Sequence, residues 1–198
     1  MKYFNTLPKI LSTNYNGGTI VLTNLLARAN ILPELLKNPL LYYTYDIQEG
    51  DTPEIVAHKY YNDMYRYWIV LMCNQLLDPQ WNWPLNSQQF QDYLTDKYGT
   101  QDIYGTVHNY QEIITQFDYG TQTTTVNTIQ ITQDTYNSFV NSTNTYTLPT
   151  GQVKVTKEAK AISIFDYEVQ QNEAKRKISI LNNQYVDQIE QQFLKLVS

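Results

Sequence analysis

The chain is predicted to fold in the α+β class. A βαα core is joined by further helices, a β-rich Thr/Asn insert and a C-terminal strand and helix. Three observations predict this. First, YDIQEGDTPEIVAHKYYNDMYRYWIVLMCN, residues 45–74, passes from a Tyr-rich strand through a Gly-bearing turn into helical periodicity. Second, the stretch from Gly120 to Gly151 is dominated by Thr, Asn, Gln and Ser, yet Val, Ile, Tyr and Phe are spaced through it, which favours β structure over disorder. Third, RKISIL alternates as a strand, and YVDQIEQQFLKLV then turns amphipathic.

Residues 1–18 are polar and end in NYNGG, so an extended arm or loop is expected. Apolar Ile20, Leu22, Leu25, Leu26 and Ile31 point to a helix over about 24–30, punctuated by Pro33 and Pro39. LYYTYDI alternates as a strand over about 41–47, and Gln48 to Asp51 form the turn. Thr52 is a good N-cap and Pro53 suits the first helical position. Ile55, Val56 and Tyr60 lie on one side of a short helix. Asn62 or Asp63 caps the next helix, where Met64, Tyr67, Trp68, Leu71 and Met72 make a stripe at helical spacing. The expected core is therefore Ile55, Val56, Trp68, Leu71 and Met72.

After the loop LLDPQWNWPLN, Ser87 is expected to cap a helix over 88–98, with Phe90, Tyr93 and Leu94 inward and Gly99 as its stop. Strands follow over about 106–117 and 126–132, then a helical turn over 134–140 and a strand at QVKVTKEA. KEAKAISIFDYEVQQNEAKRK mixes helix formers with charge and predicts a helix over 157–174. A last helix places Tyr185, Ile189, Phe193 and Leu194 or Leu196 inward. These readings divide the chain into an arm and short helix (1–40), a core with following helix and strand (41–118), the insert (119–151) and a helix–strand–helix end (152–198).

Composition excludes several classes. Net charge is −5 over 198 residues, without the basic face that nucleic-acid binding needs. The N-terminus lacks the apolar run of a signal peptide and no apolar stretch approaches eighteen residues, so a protein made and used in a cytoplasm, away from membranes, is expected. The one cysteine, Cys73, lies in an apolar run and reads as a buried hydrophobe. Eighteen tyrosines against six phenylalanines exceed what a core of this size needs, which places some of them at interfaces.

Chemistry is sparse. His58 and His108 stand alone in their segments, and no metal-ligand spacing, nucleophile motif or Gly-rich phosphate loop occurs. Neither metal nor cofactor is expected. Glu49, Asp51 and Glu54 cluster at the strand–helix turn. A carboxylate pair could serve glycoside hydrolysis, but carboxylates at a helix N-terminus are favoured by its free N–H groups and dipole, and that reading is preferred. Lys175, Arg176 and Lys177 form a short basic cluster that reads as a solvated edge.

Residues 45–74 resemble a LysM module. Tyr45-Asp46-Ile47 match its strand end, Gly50-Asp51-Thr52 its turn, Ile55, Val56 and Ala57 its first helix, and Trp68, Leu71 and Asn74 its second. The likeness implies a βααβ unit and, at the Gly50-Asp51-Thr52 turn, contact with a partner or with an N-acetylglucosamine polymer such as peptidoglycan. The expected second strand does not follow Asn74, so RKISIL is a candidate to return and supply it.

A second resemblance covers about 42–98 and 173–197, through YRYWIVLMCNQLLDPQWNWPLNSQQFQDYLTDKYG and NEAKRKISILNNQYVDQIEQQFLKLV. It is to the LysM-like baseplate wedge proteins of contractile-tailed phages, the gene product 53 family. That likeness implies a non-enzymatic part of the virion tail, assembled in the host cytoplasm. It implies a clamp that joins neighbouring wedges around the hub in several copies per particle, with other wedge and hub proteins as partners.

Overall fold

The computed structural model describes residues 3–27, 29–31, 33–149 and 151–197. In chain order the elements are α1 (Tyr3–Thr6), β1 (Lys9–Thr13), β2 (Thr19–Thr23), α2 (Pro33–Leu36), β3 (Tyr42–Asp46), α3 (Pro53–Tyr61), α4 (Tyr67–Cys73), α5 (Pro79–Asn82), α6 (Ser87–Tyr98), β4 (Val107–Asp118), β5 (Thr123–Ile131), α7 (Gln133–Ser138), β6 (Ser142–Leu148), β7 (Gly151–Ser163), α8 (Ile164–Ala174), β8 (Lys177–Leu181) and α9 (Val186–Val197). This mixture of helices and small antiparallel sheets is the expected α+β class. The chain groups into two compact units, Met1–Phe90 with Asn172–Ser198, and Gln91–Gln171.

The first unit is built on β3, α3, α4 and β8. Gly50, at φ 80°, supplies the left-handed residue that the turn after β3 needs. Thr52 then caps α3 by accepting from Ile55 N–H at 3.4 Å, and Pro53 opens the helix. Asn62, also left-handed, closes α3 with its N–H on the His58 carbonyl. Of the two candidate caps for the next helical segment, Asp63 does the work, accepting from Tyr65 N–H at 2.8 Å.

β8 pairs antiparallel with β3, with Tyr42 opposite Leu181, Thr44 opposite Ser179 and Asp46 opposite Lys177. RKISIL does return to the strand at 42–46. The Asn74 side chain, just past α4, fixes that return. Its amide accepts from Ser179 N–H at 2.8 Å and donates to the Ser179 carbonyl and the Val70 carbonyl, each at 2.8 Å. The buried Tyr61 hydroxyl donates to the Leu181 carbonyl at 3.2 Å.

Val56, Ala57, Trp68, Ile69, Val70, Ile178, Ile180, Leu181 and Val186 are buried between these elements. The Trp68 ring lies 4.8 Å from Phe193 of α9 and 5.7 Å from Tyr3, so both ends of the chain close on α4. Leu71 and Met72 are half-buried against this core. Ile55 is not in it: α3 turns Val56, Ala57 and Tyr61 inward, and Ile55 is left 43% exposed. On α9 the inward residues are Val186, Phe193 and Val197, with Ile189 half-buried; Leu194 and Leu196 face solvent.

The N-terminal region departs from its reading. The expected arm is a hairpin, β1 with β2, in which Ile10 pairs with Leu22 and Leu11 with Val21. NYNGG is its turn, where Gly17 has a φ of 77° and Gly18 N–H donates to the Asn14 side chain. The apolar residues that predicted a helix over 24–30 alternate as Ile20 and Leu22 in β2, and the described residues of that span form a turn and loop. Arg28 lies outside the described residues.

In the second unit, four antiparallel strands run in the order β5-β4-β7-β6. Strands β5 and β6 of the Thr-rich stretch pair with β4 and β7 on either side of it. Residues 157–163, expected as helix, are the end of β7. The ladder with β4, from Ile114 opposite Lys157 to Val107 opposite Ser163, outweighs the helix preference of Lys, Glu and Ala there. The helix starts only at Ile164, with Ser163 Oγ accepting from Asp166 N–H.

The cap of α6 also differs. Asn86 rather than Ser87 holds it, through reciprocal bonds between Gln89 N–H and Asn86 Oδ1 and between Asn86 N–H and Gln89 Oε1. Asn86 and Gln89 both fall in the first unit, and α6 ends as expected at Gly99.

Replacement of Asn74 by Ala leaves the Ser179 N–H and carbonyl without their partner. We expect a loss of about 2–3 kcal/mol in urea unfolding of the full chain. A loss below about 0.5 kcal/mol would show that water replaces the amide without penalty.

Candidate functional site

The turn between β3 and α3 gathers most of the polar residues that the sequence singled out. Asp51 is buried. Its Oδ1 is 2.6 Å from Lys59 Nζ, and its Oδ2 accepts from the Tyr45 hydroxyl at 2.5 Å and from Gln48 N–H at 3.1 Å. Its backbone carbonyl accepts from Trp83 Nε1 at 2.8 Å. Burial pushes the Asp51 carboxyl up, but the bonds from Lys59, Tyr45 and Gln48 outweigh it and hold the group below its ordinary value. The Tyr45 ring packs edge-on against Tyr60 at 5.4 Å. Asp51 therefore fastens the turn, the first helix and the Trp83 loop together.

Glu49 accepts from Ser87 N–H at 2.6 Å and lies 3.5 Å from Arg176. The bonds from Ser87 and the charge of Arg176 keep its carboxyl low. Arg176 bonds Glu173 at 2.8 Å and the Ile47 carbonyl at 3.1 Å, and Lys175 donates to the Trp81 carbonyl at 2.7 Å. Two members of the basic cluster are thus joined to their own unit. Gly50 and Thr52 act as the turn residue and helix cap, so of the three expected contact residues none presents an unused charged group to solvent.

The remaining candidates are dispersed. His58 is exposed in the last turn of α3. His108, in the second unit, stacks on Tyr167 at 3.8 Å. Burial pushes the Cys73 thiol up to about 12, far from the thiolate a nucleophile needs. Among the described residues no group of three or more His, Cys, Asp or Glu could hold a metal ion, and no helix is long and apolar enough to cross a membrane.

Three features escaped the sequence reading. In the second unit the buried Glu168 carboxylate receives Lys97 at 2.8 Å and the hydroxyls of Tyr98 and Tyr93 at 2.6 and 3.2 Å. In the first, the buried Asn172 amide bonds both the N–H and the carbonyl of Leu85, at 2.8 and 3.0 Å. Helical spacing could have paired Tyr93 with Lys97, but the partners of Glu168 and Asn172 are some 70 to 90 residues away. The third feature is a pair of apolar grooves in the first unit. One is lined by Tyr3, Phe4, Leu25, Tyr67 and Leu71, the other by Leu35, Leu41, Tyr185, Ile189 and Leu196, and Met72 borders both. Among the described residues, none that lines either groove is charged. Such surfaces suit apolar side chains of another protein rather than a polar substrate.

A family model described as base plate wedge protein 53 matches residues 3–196. The chain is also similar to the baseplate wedge protein gp53 of Enterobacteria phage T4, at 27% identity over 115 residues, which is 54% of this chain and 57% of that protein. The chain thus spans little more than half the length of that curated relative.

The turn makes a pH-dependent contribution to stability. Asp51 has a lowered value in the folded chain, so its contribution is complete above the ordinary carboxylate range and is lost as pH falls through the folded value. Replacing Asp51 with Ala is expected to cost about 2 kcal/mol at neutral pH. It should also flatten the loss of stability on acidification, read by urea unfolding from pH 7 to pH 3. An unchanged acid profile would assign that loss to other carboxylates.

Proposed function

The chain belongs to the family of base plate wedge protein 53, and from that premise we propose that it is a non-enzymatic structural part of a contractile phage tail. In this reading it clamps neighbouring wedge subunits around the hub. It sits in the tail baseplate of the virion in several copies and is assembled there in the host cytoplasm. Its partners are other wedge and hub proteins.

The observation that carries this reading is the apolar surface of the N-terminal segment. Leu11, Val21 and Leu26 are 75%, 65% and 87% exposed on a hairpin and the turn after it. An isolated two-stranded hairpin is marginal in water, and a run of exposed aliphatic residues on one is a contact surface. A partner that covers this segment stabilises the hairpin and joins the two proteins at once.

In this reading the first unit is a LysM-like frame put to assembly. β3, α3, α4 and β8 follow the βααβ order, with the closing strand delivered from residues 177–181. A sugar polymer would have to engage the turn at Gly50, Asp51 and Thr52. The side chains there are already committed to α3, Lys59 and Tyr45, which favours the clamp over the peptidoglycan-binding alternative.

Cross-linking of intact tail particles followed by mass spectrometry tests the proposal. Links are expected from the 9–26 segment to other tail proteins, including subunits of two adjacent wedges. Absence of the protein from purified particles would overturn it.

A further inference from the structure

The four-stranded sheet of the second unit places its charges unusually. The interior strands β4 and β7 carry Glu112, Asp118, Lys154, Lys157, Glu158 and Lys160. The edge strands β5 and β6 carry no charged residue and no proline. Sheets that stay single protect their edges with lysine, proline, bulges or very short strands. Here β5 and β6 are nine and seven residues long, and the bulge lies between β4 and β7, near Val107. Among the described residues no strand pairs with the outer side of either.

The two edges differ in what they offer a neighbour. On β5 the exposed Val126 and Ile129, opposite Thr115 and Glu112, point to opposite faces, and Ile131, which shares a face with Ile129, is half-buried. On β6, Tyr146 and Leu148 are two residues apart and share a face, 52% and 48% exposed. The opposite face of β6 carries Thr143, Thr145 and Thr147. The β6 edge thus offers unpaired backbone groups flanked by one apolar lane and one threonine lane.

We propose that the outer edge of β6 is a strand-addition site. It takes an extended, uncharged segment of another tail protein, with apolar residues at two alternate positions beside Tyr146 and Leu148. Main-chain bonds supply affinity and the apolar lane sets register. A second copy of this chain fits less well: antiparallel self-pairing over the full length of β6 is centred on Thr145 and sets Tyr146 against Asn144 and Leu148 against Ser142, so a register that brings the apolar residues together, about Thr147, pairs only the last three residues of the strand. The identity of the donor as a tail protein rests on the structural reading above; the edge itself rests on the strand pattern.

Hydrogen exchange of the 142–148 amides, compared between the free full-length chain and purified particles, is the direct test. Exchange is expected to slow at least about tenfold in particles, and sedimentation should show the free chain to be a monomer. A double variant, Thr143→Lys with Thr147→Lys, places charge on the exposed edge as protected sheets do. It should keep the melting temperature of the parent and lower incorporation into particles about tenfold.

If the protein is in particles but its 142–148 amides exchange as fast as in the free chain, the edge proposal alone fails. Self-association of the free chain that the double variant abolishes would also overturn it, in favour of a second copy. Absence from particles would remove the structural reading and the donor together.

Discussion

Closure of the first unit depends on one side chain reading a remote strand. β3 needs an antiparallel partner, and the residues that follow α4 do not provide one. The partner, β8, lies more than a hundred residues further along the chain. Asn74 meets it with both ends of its amide, copying the paired donor and acceptor of a neighbouring strand. Once β8 is seated, Ile178, Ile180 and Leu181 complete the core over Val56 and Ile69, and α9 follows and packs Phe193 on Trp68. The segment between the Trp83 loop and Asn172 can therefore lengthen or change without disturbing that core, because closing a longer loop costs only slowly more. The whole second unit, 91–171, lies inside that segment.

The same economy of means recurs with acids. Each unit buries one carboxylate and saturates it with a lysine and tyrosine hydroxyls: Asp51 with Lys59 and Tyr45, Glu168 with Lys97, Tyr98 and Tyr93. In both, burial alone would raise the acid and the bonds reverse it. Part of the high tyrosine content has its explanation here. The ring fills space beside the core while its hydroxyl satisfies a charge that phenylalanine would leave unpaired.

How much of this was legible follows the range of the interactions. The strand read over 41–47 and found at 42–46, the capped helix from Pro53 and the stop of α6 at Gly99 rest on local rules of turns and caps and stand where the sequence placed them, whereas the stripe leading into α4 holds only in part: Trp68 is buried, but Met64 is exposed and Ile69 and Val70 are buried in its place. Residues 157–163 were misread because Lys, Glu and Ala favour a helix locally, while a twelve-residue strand alongside offers a complete ladder. The 20–31 stretch was misread for a related reason: its apolar residues satisfy both periods over so short a span, and only pairing with residues 9–13 decides between them. At the turn, Gly50 and Thr52 were legible as turn and cap. That Asp51 would be closed in by Lys59, Tyr45 and the Trp83 loop was not, because Trp83 is thirty-two residues away and nothing local announces its approach.

The two units also stand on different kinds of stabilisation. The first has a contiguous apolar core. In the second, the buried residues among those described are Leu94, Ile103, Ile162, Ile164 and Glu168, all on or beside the helices and the adjoining end of β7. Away from them, all of β5 but Ile131 and all of β6 but Ser142 are exposed. A sheet with so little covered surface draws on its main-chain ladders, which contribute only modest net stability while their outer members can exchange bonds with water. The sequence compensates with threonine and other β-branched residues, which favour the extended backbone without requiring burial. It also keeps the charges on β4 and β7, where Lys157 and Glu112 can approach at 3.7 Å across the ladder. That partly exposed pair adds little to the ladders, while the absence of charge from the rim lowers the desolvation cost of adding a strand there.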